Sequence, residues 1–454
     1  MANLIGVSMT AKPKSEQQMP DLAQVADALR RVLTNIADQA AHETGCIQRQ
    51  RTFTGATLIQ TLVFGWLHRP QATLEQLTQM AATLGVVVTP QGLDKRFTEV
   101  LARCLKQVLE AAVAQVISSD RVVVPLLNRF TGVLIQDSSV ILLPADLATT
   151  WRGCGGTDPT HGASALKIQV RLDLTTGQIQ GPHLQDGRVH DLRAPEQTRQ
   201  MQVGALRIAD LGYFSLAHLQ DIGEQGAYWL TRWRVGTVVR NEQGQALEVI
   251  PWLNEQGTSV IDCPVQLGVT AQLSARLIAV RVPPEVAHKR RRRLKADAQR
   301  RGQTLSKMRL AAADWTLYLT NVPMEMLTVE EVLVLGRARW QIELLFNRWK
   351  SHGVIDESRS TKSRRILCEV YAKLIAMVIQ QWILLTSCWQ YPNRSLVKAS
   401  QTVRSFAMVL ANAFAGIAEL TAVLTHLAQC LSAGCRMNSR KKEPNAYQLL
   451  LSCT

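Results

Sequence analysis

The sequence predicts an α/β protein, in which a mixed sheet with helices carries a β-rich insertion and is flanked by helical regions at both ends. Three observations predict it. Over residues 22–117 apolar side chains recur three and four apart, the period of amphipathic helices. Near Val122 the texture changes to short runs of Val, Leu and Ile separated by turn-forming residues, as strands require. Over 364–431 the helical period returns, largely apolar on one face. With 454 residues, 46% of them hydrophobic, the chain is too long for one compact core. We divide it into a helical region (1–121), a first core segment (122–227), a β-rich insertion with a basic arm (228–312), a second core segment (313–365) and a helical end (366–454).

Residues 1–20 read as a loose tail. Thr73-Leu74-Glu75 opens a helix that Leu84-Gly85 ends. Thr89 then caps a second helix with Pro90 at its first position. Gln91, Asp94, Lys95 and Arg96 fall on the early turns of that second helix. This resembles a helix-turn-helix, whose second helix faces a DNA groove, although any short helical hairpin has the same pattern. Lys95 and Arg96 are its candidate DNA contacts.

In the middle of the chain, 122–126, 132–136 and 140–143 are apolar runs, and Thr175-Thr176-Gly177 turns between strands at 167–174 and 178–184. The spacing predicts a helix over 192–203 and a short buried strand over 206–209. Strands follow at 228–232, 246–250, 259–267 and 275–282. The stretch 288–309 then carries ten Lys and Arg against Asp297 alone. It reads as a surface arm or, better, as an arm that contacts phosphates. A strand at 314–321 and a long helix, capped by Thr328 and running to about Lys350, complete the core. A basic stretch at 439–442 lies near the C-terminus.

The formal net charge is +15, which favours a polyanionic partner, most commonly nucleic acid. The nine cysteines are irregularly spaced and form no C-x-x-C pair, which argues against a disulfide framework or a zinc site. Reduced thiols in a cytosolic protein is the better reading. The first residues show no charged-then-apolar leader. The stretch 374–386 is apolar but short and contains Gln380 and Gln381, so it predicts a buried helix rather than a membrane span.

Two acids follow apolar strands: Asp137 after 132–136 and Asp210 after 206–209. Acids at strand ends gather at the rim of a sheet, where they raise one another's pKa unless a cation joins them. Hard divalent ions such as Mg²⁺ suit oxygen ligands and substrate phosphate. Two ions roughly 3.5–4 Å apart can clamp an in-line phosphoryl displacement. Taken alone, however, these two acids fit turn caps better. Glu343 shifts the balance. It lies four residues after Arg339 and seven before Lys350, so all three share one helix face. That gives an acid for the ion and cations for phosphates. A solvated face of ion pairs is the alternative, but Trp340, Ile342, Leu345, Phe346 and Trp349 leave little of the helix free for solvent.

These residues resemble the bacterial insertion-sequence transposases with a DDE triad and a YREK signature. The matching pieces are Leu134-Ile135-Gln136-Asp137-Ser138-Ser139, Ala209-Asp210-Leu211-Gly212-Tyr213-Phe214, Tyr228-Trp229-Leu230-Thr231-Arg232, Leu319-Thr320-Asn321, and Arg339 through Lys350. The resemblance spans about 70–390. It implies a ribonuclease-H-like catalytic core, with Asp137, Asp210 and Glu343 as catalytic residues and metal ligands. It implies two Mg²⁺ ions, for which Mn²⁺ substitutes, and Arg339 and Lys350 on DNA phosphates. Arg232 matches an active-site Arg of the family, with a salt bridge as its other reading. The gap from Asp210 to Glu343 matches the family's β-rich insertion, which in relatives helps organise a DNA hairpin and a flipped base. Trp315 could stack on such a base, but a buried core Trp is the better reading. One position departs: the signature's Tyr falls at Gly336, at a helical cost of about 1 kcal/mol against Ala.

The function expected is cut-and-paste DNA transposition by a homodimer on double-stranded DNA, cytoplasmic and nucleoid-associated, with the helices at 366–436 joining protomers. A ribonuclease-H-like nuclease that cuts without joining is the second reading. An inactive DNA-binding relative that inhibits transposition is the third, and Gly336 is the feature that leans towards it.

Overall fold

The computed structural model describes residues 22–49, 52–155, 162–391, 393–437 and 446–452. The expected tail at 1–20 and the basic stretch at 439–442 lie outside them. Ten strands form one sheet: β1 (Val133–Leu143), β2 (Ser164–Asp173), β3 (Ile179–Asp186), β4 (Leu206–Ala209), β5 (Tyr228–Arg232), β6 (Val239–Arg240), β7 (Ala246–Leu247), β8 (Val260–Leu267), β9 (Leu273–Arg281) and β10 (Trp315–Thr320). Their order is β3-β2-β1-β4-β5-β10-β9-β8-β6-β7. Strands β1, β4 and β5 are parallel, and β1, β2 and β3 are antiparallel neighbours. These five make the mixed sheet of a ribonuclease-H-like core. Strand β10 pairs antiparallel with β5 and carries β9, β8, β6 and β7 outward. The β-rich insertion therefore prolongs the core sheet, and β5 pairs within the core itself.

Helices from both ends of the chain cover one face of this sheet. Ser363–Leu385 is the central one, packed against Gly55–His68 and Glu99–Val113. It is long and apolar enough to cross a membrane, but 94% of that window is buried inside the protein. Gln380 and Gln381 keep it polar enough to need partners, which burial supplies. Gln380 donates to the Ser400 carbonyl at 3.2 Å. Gln381 donates to the Gly177 carbonyl at 3.0 Å and accepts from Arg348 at 2.7 Å.

The caps read from sequence form. Thr73 and Gln76 make a reciprocal capping box, as do Thr328 and Glu331, and Thr89 caps a helix with Pro90 in its first turn. That last helix, Pro90–Asp94, is only five residues long.

Four expectations are corrected. The run at 192–203 is no α-helix but two short 3₁₀ turns, Asp191–Arg193 and Pro195–Gln197. Pro195 holds Ala194 extended at φ −63°, ψ 138°, which stops a helix there. The expected strand at 246–250 stops at Leu247, and Val249–Glu255 is helical, with Pro251 in a first turn that needs no N–H. The long helix after Thr328 is broken at Arg339 into Val329–Ala338 and Trp340–Asn347, and ends in a π turn, Arg348–His352. Finally, 132–136 and 140–143 are one strand, so Asp137 lies within β1 rather than at its end.

Candidate active site

Asp137 still stands at an end, but of a pairing rather than of a strand. β1 runs parallel with β4 only over Val133–Gln136 and Leu206–Ala209. The next residue on each strand is an acid, Asp137 and Asp210. Alternation puts both on the face that carries Ile135 and Ile208, two residues earlier, which are buried in the main core. The intervening residues point the other way. There Arg207 donates to Gln136 at 3.3 Å and to Gln197 at 2.6 Å, bracing the opposite face.

Neither acid is spent as a turn cap. Asp210 precedes a 3₁₀ turn without a side-chain cap bond. Among the described residues Asp137 accepts only from the adjacent Ser138 N–H, at 2.8 Å, and from Arg339, at 3.3 Å. Arg339 also donates to Glu343 at 2.5 Å. One guanidinium thus ties a strand acid to a helix acid. Burial pushes Asp137 up to about 6, and the charges of Asp210 and Glu343 add to that, against the Ser138 N–H and Arg339. Burial opposes the charge on Arg339, but Asp210, Asp137 and Glu343 outweigh it and hold its pKa raised. Arg339 thus bridges Asp137 and Glu343 and lies within electrostatic reach of Asp210, with which it makes no ion pair among the described residues. Among the described residues no three potential ligands are already close enough to hold a metal ion; a guanidinium sits between two of the acids.

The other predicted contacts are scattered. Lys350, beyond the helix break, donates to the Val140 carbonyl at 2.9 Å and lies 3.7 Å from Asp356. Arg232 is exposed at the end of β5. Lys95 and Arg96 lie just past Pro90–Asp94; Lys95 is exposed, and Arg96 stacks 6.0 Å over Phe53. Asp94 beside them is held by Lys362 and Arg365. Trp315 is 3% exposed and donates to Asn254 at 3.3 Å, with Arg281 over its ring. That is a packed core residue.

The basic run forms a helix, Pro284–Arg300, followed by a short one, Lys307–Ala311. With β5 and β10 it walls an open cavity of about 530 Å³ lined by Arg232, Arg290, Arg293, Arg309, Trp233 and Trp315. Leu211, the neighbour of Asp210, is also on its wall.

One side chain near the acids was not legible. Asp191 accepts from Ser138 at 3.0 Å, Lys167 at 3.0 Å and Gln169 at 3.2 Å. It braces the residue after Asp137 and sits immediately before the stretch 192–203 whose apolar spacing suggested a helix. No local pattern marks it.

Comparison with known proteins is concordant. The family model described as "Transposase DDE domain" matches residues 129–379, more than half of the chain. The chain is 27% identical over 465 residues to the transposase for insertion sequence element IS231F of Bacillus thuringiensis subsp. israelensis, covering 95% of each. It is 24% identical over 377 residues to the transposase for insertion sequence element IS1151 of Clostridium perfringens, covering 78% of each. A cryo-EM structure of the piggyBac transposase synaptic complex with hairpin DNA aligns over 92% of this chain and 83% of that one, at 10% identity and a TM-score of 0.42, a level from which nothing follows for this chain. A chain whose acids converge on this core, and whose matching segment spans both strand acids and Glu343, belongs to the DDE transposase family.

Proposed function

We propose that Asp137, Asp210 and Glu343 are the catalytic carboxylates of an insertion-sequence transposase that cuts DNA at element ends and joins the freed 3′ ends to target DNA. The observation that carries this reading is that Arg339 bridges the acid of β1 and the acid of one helix, with the acid at the end of β4 within its electrostatic reach. The family works with divalent metal, and the donors here suit one. They are all carboxylate oxygens, which hard ions prefer, and the cation now among them is a long side chain able to withdraw. We assign the metal as Mg²⁺, two ions, with Mn²⁺ as a substitute. Bound there, such ions lower the pKa of a water and neutralise charge on the phosphodiester in flight.

The chain's own residues do the rest. Asp137 must lose its proton to serve as a ligand, so its raised pKa makes metal and proton compete for it, more strongly as the pH falls below about 6. Arg339 exchanges its two carboxylates for a DNA phosphate, which keeps its charge paired throughout. Arg232 and Lys350 grip the backbone on either side of the acids, and Lys95 and Arg96 do so from the helical hairpin. The Pro284–Arg300 helix lies along the same DNA and makes its affinity fall with salt. The element ends are paired by a homodimer, joined through the helices at 366–436, and the protein acts in the cytoplasm with the nucleoid.

Asp137→Ala, Asp210→Ala and Glu343→Ala each abolish cleavage of end DNA in Mg²⁺ while sparing end binding. Near-normal cleavage by any one of them overturns the assignment. A labelled 3′ end recovered in target DNA separates a transposase from a nuclease that only cuts. End binding by the unmutated chain with no cleavage in Mg²⁺ or Mn²⁺ identifies the inactive relative.

A further inference from the structure

The register of the sheet extends the row of acids. Ile135, Ile208, Leu230 and Thr320 lie side by side across β1, β4, β5 and β10. Two residues along each strand, on the same face, come Asp137, Asp210, Arg232 and Tyr318. Tyr318 and Arg232 are direct partners in the ladder. The carboxylate row therefore continues into a guanidinium and a phenol.

Tyr318 explains Gly336. A Cβ at residue 336 would meet the Tyr318 hydroxyl at 2.2 Å and its ring carbons at 2.3 and 2.7 Å. Only a glycine lets the phenol rise under the Val329–Ala338 helix, three residues before Arg339. The side chain is 5% exposed, yet among the described residues its hydroxyl makes no hydrogen bond. The hydroxyl oxygen is not among the buried polar atoms left without a partner, so the ring is packed while its donor stays open to solvent.

Arg290 completes the cluster. It reaches back from the basic helix and donates to the Trp315 carbonyl at 2.9 Å and to the Thr316 hydroxyl at 3.0 Å. Thr316 is on the same face of β10 as Tyr318. Burial and the nearby charge of Arg232 hold the Arg290 pKa down, and Tyr318 is close enough to act on it. Among the described residues neither Arg232 nor Arg290 has an acidic partner within salt-bridge distance. Two adjacent guanidiniums without an ion-pair partner among the described residues, and a free hydroxyl, form a site for an anion; the one acid on the same cavity wall, Asp297, is held by Arg300.

We propose that Tyr318 is a substrate-contacting residue, whose hydroxyl donates to a DNA phosphate clamped by Arg232 and Arg290 beside the carboxylate cluster. The inference rests on the transposase reading and adds a residue to it. The phenol is delivered from a strand, through the gap left by a glycine, to the DNA path of the helix above.

Tyr318→Phe tests this, because it keeps the ring that packs on Gly336 and removes only the donor. Binding to element-end DNA is measured in Ca²⁺ at several salt concentrations, on native DNA and on DNA carrying single neutral methylphosphonates near the cleavage site. Tyr318→Phe weakens native-DNA binding about 10-fold, with the salt slope unchanged because no charge is lost. At one methylphosphonate position the unmutated chain is also weakened, and Tyr318→Phe there costs little more. Arg232→Gln weakens binding to native DNA, costs little more at that same methylphosphonate position, and loses about one unit of salt slope. Equal binding by Tyr318→Phe, or a loss identical at every methylphosphonate position, overturns the proposal. If the unmutated chain binds no element end, it is the proposed function that has failed.

Discussion

Asp137→Asn is the perturbation whose size follows most directly from the structure. Burial, with help from Asp210 and Glu343, lifts Asp137 from 3.8 to about 6. The folded chain therefore holds this proton more tightly than the unfolded chain does. Above pH 6 the carboxylate ionises at the expense of folding, and the cost fades as pH falls from 6 towards 3.8. At about 1.4 kcal/mol per pH unit, the difference is worth up to roughly 3 kcal/mol. Asparagine fills the same space and cannot ionise. In EDTA at pH 8, Asp137→Asn should raise stability by about 1–3 kcal/mol, read from urea unfolding, while cleavage is lost. At pH 4 the two chains should unfold alike. A variant no more stable than its parent at pH 8, or a gain undiminished at pH 4, would refute the reasoning. The same proton competes with metal, so metal affinity should fall as pH drops below about 6.

Three further outcomes follow from packing and charge. Gly336→Ala gains about 1 kcal/mol of helix propensity but drives a methyl into the Tyr318 ring, an overpacking of about 1–3 kcal/mol. It should destabilise the chain in urea, and a second substitution, Tyr318→Ala, should shrink that loss. Glu369 and Lys373 are 3% and 1% exposed and 2.7 Å apart. Glu369→Leu strands a buried ammonium and should cost about 3–5 kcal/mol, recovered in large part by Lys373→Met in the same chain. Lys350→Ala should weaken end complexes and lower the salt slope by about one; an unchanged affinity across salt concentrations counts against its phosphate role.

The acids were legible because each sits beside a strong local signal. Asp137 and Asp210 follow apolar β runs, and Glu343 is one helical turn from Arg339. Their alignment was not, since it depends on where β1 and β4 stop pairing. The sequence suggested that β1 ends before Asp137, because Asp-Ser-Ser looks like a turn. In the folded chain β2 keeps pairing past that point, from Ser138 to Leu143, and holds the strand extended. The helix expected over 192–203 failed because Pro195 outweighs an apolar period. Nothing local marks Asp191 as a neighbour of the acids, or Tyr318 and Arg290 as neighbours of Arg232. Those meetings are made by sheet register and by a helix far along the chain, and the glycine that permits one of them reads in sequence only as a weak spot. Arg339 illustrates a different limit. Its pairing with Glu343 one turn away follows from sequence spacing, but not the break at Arg339, the π turn that carries Lys350, or the reach of its guanidinium to Asp137.

The most direct test of the central claim is to locate the metal. A crystal of the chain with element-end DNA and Mn²⁺, measured for anomalous scattering, should show density bounded by the carboxylates of Asp137, Asp210 and Glu343, with Arg339 turned away onto a phosphate. Manganese bound elsewhere, or Arg339 still bridging Asp137 and Glu343 in the DNA complex, would contradict it.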